Sequence, residues 1–269
     1  RCPKVINPKG PEDWWVPKNF DEPKFQDAYY TRRFAIAQSI NRAAVNAARI
    51  GQCGLHPRVI KMAERLGIKT KLDPYLPTAL GAGGIPIIEL AAAYGVFADK
   101  GVLRTPYLIE KIYDSRGGVL YEKKEWAGKQ AVSPDVASVM LEALRGVVKY
   151  GTAKALNFLP QPVAGKTGTT NNFTDALFTG VTPHIAFSAW IGGTKDNANS
   201  LGDRITGGSM VVPAIKNLLE KYYAGYEPEQ FQEEVEGWSK IIVDPKAFQQ
   251  EMQELEKKNK EEGKGELLP

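Results

Sequence analysis

Cysteine and histidine are both scarce, two of each in 269 residues. Cys2 and Cys53 have neither the spacing of a zinc site nor the number for a disulfide framework, and stand either as free thiols or as one pair in an oxidising compartment. His56 and His184 lack ligand spacing and an obvious partner, so both read as surface or turn residues. No metal and no cofactor is expected. No apolar run reaches the roughly 18 residues that a membrane span requires, and Arg1-Cys2-Pro3-Lys4 does not begin a signal peptide. The expectation is a chain that folds in water, with any membrane anchor outside it. Nucleic-acid motifs are missing too, and the basic residues are scattered without aromatic interleaving, which argues against a nucleic-acid partner.

What is present is enough for a sizeable core: 43% of the residues are hydrophobic, ample for one large domain or two small ones. The formal charge of +4 conceals an asymmetry. From Glu227 onward there are 12 acidic and 6 basic residues, against 19 acidic and 29 basic in the rest. A basic body suits acidic partners or a negatively charged substrate.

Three regions follow. Residues 1–30 carry five prolines among Trp14, Trp15, Phe20, Phe25, Tyr29 and Tyr30; each proline removes a donor, so this is an extended lead-in anchored by aromatics. Residues 31–226 alternate helical and strand patterns. Residues 227–269 form a charged acidic tail, either a frayed exposed helix or partly disordered.

Within the body, "TRRFAIAQSINRAAVNAARIG" is helical on both sides of a polar break at Ser39-Ile40-Asn41. "HPRVIKMAERLGI" is a short amphipathic helix stopped by Gly67. "IPIIELAAAYGVFADKG", apolar almost all round, predicts a buried core helix. "YLIEKIYDSRGGVLYEKK" predicts a hairpin turning at Ser115–Gly118, and "SPDVASVMLEALRGVVKYG" a helix capped by Ser133. Val163–Thr169, "DALFTGVTP" and "HIAFSAWIGG" predict neighbouring strands, the last two an antiparallel pair, apolar enough on both faces to need helices on both sides. "VVPAIKNLLEKYYAG" closes the domain as a helix. The class is α+β, an antiparallel sheet covered by helices on both faces.

The stretch "QPVAGKTGTTNNFTDALFTGVTP" puts an amine and several hydroxyls on a strand. That arrangement suits acyl transfer, which needs a nucleophile, a proton path, oxyanion donors and a grip on the substrate. Lys166, if desolvated, would tune proton affinities and hold Ser39 in a hydrogen-bonded chain. Gly168 leaves the strand face bare, Thr167 and Thr169 offer hydroxyls to a substrate carboxylate, and the Thr169 N–H is a candidate oxyanion donor. Each residue alone has a plainer reading: Lys-Thr-Gly as a solvated strand end, Ser39 as a helix cap, Asn41 as an N-cap.

"AIAQSIN" resembles the Ser-x-Asn motif, and "AGKTGTT" the Lys-Thr-Gly motif, of the transpeptidase domain of penicillin-binding proteins. "WVPKNFDEPKF", "ELAAAYGVFADKGVLRTPYLIEKIYDSRGGVLYE", "GVVKYGTAKAL", "TDALFTGVTP" and "TGGSMVVPA" resemble further stretches of the bifunctional class A enzymes. The likeness runs from about Trp14 to Tyr223. It implies a serine β-lactamase-like fold and a peptidoglycan D,D-transpeptidase that binds stem peptides and β-lactam antibiotics at the outer face of a bacterial cytoplasmic membrane. Ser39, Asn41 and Lys166 would be its catalytic residues here, and Thr167, Gly168 and Thr169 its substrate-binding strand. The family's Ser-x-x-Lys is absent, because none of the eight serines is followed three places on by lysine. The resemblance therefore implies a nucleophile upstream, on a missing N-terminal part of the same protein, and an isolated chain that is inactive and aggregation-prone. The alternative it leaves is a catalytically inactive scaffold in cell-wall assembly. A serine β-lactamase fits less well, since no deacylating glutamate is evident.

Overall fold

The computed structural model describes residues 17–20, 30–51, 54–124, 128–170, 172–193, 200–202 and 204–231, the backbone at 2–3 and 14–15, and scattered helical positions between 250 and 262. Most of the lead-in and of the acidic tail, with Cys53 and the Cys2 side chain, lies outside the described residues.

The chain begins with a two-residue pairing of β1 (Cys2–Pro3) and β2 (Trp14–Trp15), then α1 (Arg32–Ala37) and α2 (Asn41–Ala48). Strands β3 (Arg49–Ile50) and β4 (Gly54–Leu55) pair before α3 (Pro57–Arg65), and α4 (Ile87–Ala98) leads to β5 (Val102–Leu103). A hairpin of β6 (Lys111–Tyr113) and β7 (Val119–Glu122) follows, then β8 (Lys129–Gln130), which pairs with β5. Helix α5 (Pro134–Lys149) precedes the main sheet, β9 (Ala164–Thr169), β10 (Asp175–Val181) and β11 (Ala186–Gly192), and α6 (Val212–Tyr222) completes the order.

The main sheet is antiparallel in the order β11-β10-β9. Its register fixes what each face carries. Ala164 pairs with Val181, Lys166 with Thr179 and Gly168 with Leu177, so these share one face; Gly165, Thr167 and Thr169 share the other with Gly180, Phe178 and Ala176. Directly opposed residues in a strand pair point to the same side. On the second face, fully buried Phe178 and Ala176 pack with Val212, Ile215 and Leu219 of α6. On the first, Val181 and Ala164 pack with Leu141 and Leu144 of α5, with Tyr94 and Phe97 of α4 against them. Helices thus cover both faces, as the apolar strands require.

Local signals behave as their chemistry dictates. Ser133 caps α5 by accepting from the Val136 N–H at 3.4 Å, with Pro134 in the first turn. His56 caps α3, its Nδ1 accepting from the Arg58 N–H at 3.2 Å. In the β6–β7 turn the Asp114 carboxylate accepts from the Arg116 and Gly118 N–H groups, both at 2.8 Å.

Two expectations need correcting. Helix α4 is not buried all round: burial begins at Ala91, while Ile87 and Ile88 in its first turn are exposed, since composition alone cannot say where along a helix its neighbours begin. The expected β6–β7 hairpin forms, and it is exposed throughout, Leu120 and Tyr121 included. His184, expected to lack a partner, sits with Nε2 3.3 Å from the Glu229 carboxylate.

Candidate active site

The break after α1 is a complete helix-ending motif with an unusual residue in its critical place. The Ser39 N–H donates to the Ile36 carbonyl at 3.2 Å and the Ile40 N–H reaches back to the Ala35 carbonyl at 2.9 Å. This is the Schellman pattern, whose left-handed position is normally glycine. Here it is Ser39, with φ of 57°. A side chain in that region costs about 1 kcal/mol. Ile40, buried, anchors the turn and serves as N-cap of α2. Ser39 therefore closes α1, as its plainer reading as a helix cap has it, while the N-cap of α2 is Ile40 and not Asn41; the strained backbone of Ser39 projects its hydroxyl toward the sheet.

That hydroxyl meets Lys166, 127 positions away in sequence: the Lys166 Nζ donates to Ser39 Oγ at 2.8 Å and to its neighbour's carbonyl, Thr167 O, at 3.0 Å. Neither acceptor is charged. Burial without a carboxylate to balance it disfavours the ammonium, and the Lys166 pKa is pushed from 10.5 down to about 8. At pH 7 roughly a tenth of such amines are neutral, against well under a thousandth for a solvated lysine. An amine and a hydroxyl so placed have the chemistry to pass a proton in either direction.

The other anticipated residues are distributed around this pair. Thr167 and Thr169 follow strand alternation onto the face opposite Lys166. The Thr167 hydroxyl lies 2.6 Å from that of Thr152, and the Thr169 hydroxyl accepts from the Gly207 N–H at 3.1 Å. Gly168 shares the Lys166 face, where a Cβ would first meet the Leu177 side chain, at 3.3 Å. The Asn41 side chain is not brought to Lys166; its amide donates to the Lys18 carbonyl at 2.7 Å, while Asn19 Oδ1 accepts from the Arg42 N–H at 3.1 Å. Asn41 thus ties the lead-in to the start of α2. Phe20, carried along, meets Phe173 edge-on with centroids 6.1 Å apart.

Sequence reasoning quoted "GVVKYGTAKAL" for its resemblance but gave no role to the turn within it that joins these parts. Gln38 Nε2 donates to the Tyr150 carbonyl at 2.9 Å and the Thr152 N–H to the Ala37 carbonyl at 3.2 Å, fixing the end of α5 against the end of α1. The signals for it were that resemblance and the Gly151 just past the end of α5. Among the described residues no group of His, Cys, Asp and Glu converges as a metal site, and no helix is long and apolar enough to cross a membrane.

Residues 63–220 match the family model described as the penicillin binding protein transpeptidase domain. The chain is 36% identical over 226 residues to penicillin-binding protein 1A of Aquifex aeolicus, covering 84% of this chain and 30% of that one. It is 35% identical to penicillin-binding protein 1A of Neisseria lactamica, covering 79% and 27%. The chain thus spans less than a third of the length of these relatives. Among solved structures it resembles penicillin-binding protein 1A from Haemophilus influenzae, with a TM-score of 0.67 at 23% identity over 84% of this chain and 39% of that one. It also resembles the PonA1 protein from Mycobacterium tuberculosis in complex with penicillin V, with a TM-score of 0.64 at 22% identity over 77% and 60%.

Proposed function

The chain belongs to the penicillin-binding protein transpeptidase family, and on that premise we propose that it contributes the lysine–serine half of a serine acyl-transfer site that cross-links peptidoglycan stem peptides. The carrying observation is the 2.8 Å bond from a desolvated Lys166 to Ser39. A nucleophilic alcohol attacks the carbonyl carbon of a D-Ala-D-Ala peptide while its proton passes to the neutral amine of Lys166 by way of Ser39 Oγ; the C–N bond then breaks, and the same relay returns that proton to the departing D-alanine amine. The acyl group then passes to an amine of a neighbouring strand. A β-lactam acylates the same alcohol. No serine of this chain has the Ser-x-x-Lys setting, so the nucleophile comes from elsewhere in the longer polypeptide. In this reading the site faces the outer side of the cytoplasmic membrane, Gly168 leaves room for substrate backbone, and Thr167 and Thr169 grip its carboxylate along the edge of β9.

Labelling with a fluorescent penicillin tests this. In the polypeptide that contains this chain, one serine outside residues 1–269 should take the label, and Lys166→Ala or Ser39→Ala should slow labelling about 10²-fold or more. Labelling unaffected by either change would remove the pair from the chemistry. The missing Ser-x-x-Lys supports a second reading, a non-catalytic scaffold of the same fold. Retention of a lysine that is costly to bury weighs against it, and absence of any penicillin label would favour it.

A further inference from the structure

We propose that Thr152 is a positioning residue that orients the Thr167 hydroxyl toward a substrate carboxylate, through the 2.6 Å contact between the two hydroxyls. This rests on the reading above, in which β9 grips an acylating ligand by its carboxylate.

The backbone around Thr152 is held from two sides. Its N–H donates to the Ala37 carbonyl, and the adjacent Gly151 lies so close to α1 that a Cβ there would come within 2.3 Å of Ala37 O. On the other side, a Cβ on Gly208 would come within 2.7 Å of Thr152 O. Gln38, donating to Tyr150 O at 2.9 Å, adds a third tie. The Tyr150–Thr152 turn is therefore fixed to the two residues that precede Ser39, and the Thr152 hydroxyl to the residue that follows Lys166. One turn connects both halves of the site.

Counting protons gives the direction. Two hydroxyls in contact share one proton in the bond between them and leave one free. An ionised carboxylate only accepts, so it is satisfied by Thr167 only if Thr167 donates outward. Thr167 must then accept from Thr152. The chain of donors runs Thr152 to Thr167 to carboxylate, and each bond polarises the next. Without the Thr152 hydroxyl, the Thr167 hydroxyl loses the donor that fixes its rotation.

The test compares Thr152→Val, which keeps the shape and removes the hydroxyl, with Thr152→Ser, which keeps the hydroxyl, in the longer polypeptide that contains this chain. The second-order acylation constant is measured with benzylpenicillin and with its methyl ester, which has no carboxylate charge. Thr152→Val should lose about 5- to 20-fold on the acid and less than twofold on the ester, while Thr152→Ser stays within twofold on both. Equal losses on acid and ester would mean a purely structural role and overturn the proposal, as would no loss on the acid. A wild-type protein that acylates acid and ester equally fast would remove the carboxylate grip on β9 but leave the acyl-transfer reading intact. A wild-type protein that takes neither probe would sink both.

Discussion

Replacing Lys166 with methionine should make the folded protein more stable at neutral pH and less stable at alkaline pH. The ammonium titrates at about 8 when folded, against 10.5 in the unfolded chain. Between those values the unfolded chain holds a proton that the folded chain has released, so wild-type stability rises with pH across the window. Below pH 8 the full penalty applies, about 3 kcal/mol at 1.36 kcal/mol per pH unit. Above 10.5 it is gone. Methionine fills similar space and never pays it, but it forfeits the amine's bonds to Ser39 Oγ and Thr167 O, each worth about 1 kcal/mol. The variant should therefore be about 1 kcal/mol more stable at pH 7 and about 2 kcal/mol less stable at pH 10.5. Urea unfolding followed by tryptophan fluorescence at several pH values reads this directly, since every other titration is common to both proteins and cancels in the difference. A stability difference that does not change with pH would refute the claim that Lys166 is desolvated and uncompensated.

Other substitutions separate strain from chemistry. Ser39→Gly should be about 1 kcal/mol more stable than Ser39→Ala by denaturant midpoint, because only glycine relieves the φ of 57°; equal stabilities would mean that position is unstrained. Gly165→Ala should cost about 1–3 kcal/mol, since its Cβ would lie 2.5 Å from the Phe178 ring and 2.6 Å from the Thr179 carbonyl. Gly168→Ala, whose Cβ would first meet the Leu177 side chain at 3.3 Å, should lower the thermal unfolding midpoint less than Gly165→Ala does, yet slow penicillin acylation by crowding the face that Lys166 shares. Ser133→Ala should lose about 0.5 kcal/mol in urea unfolding, the low end for a cap because its bond is long at 3.4 Å.

The sequence determined the elements that rest on local chemistry. Proline and glycine bracketed α3 and α4, Ser133 announced α5, and alternating apolar residues from Val163 to Gly192 described three strands needing cover on two sides. It also gave the chemical character of the site, because few contexts put lysine between glycine and threonine beside further hydroxyls. It failed where the outcome depended on distant neighbours. Nothing in "QSIN" shows that Ser39 takes a left-handed backbone usually left to glycine, because the compensation comes from Lys166, 127 positions away. Strand alternation alone implied that Lys166 and Thr167 point apart, but what each would meet was set by two other elements, the bend after α1 and the turn after α5. Asn41 was turned to the Lys18 carbonyl by a lead-in segment whose course the sequence left open. The lysine's lowered proton affinity belongs wholly to the tertiary structure: the residue type supplies the amine, and burial among groups that carry no negative charge decides how readily it gives up its proton.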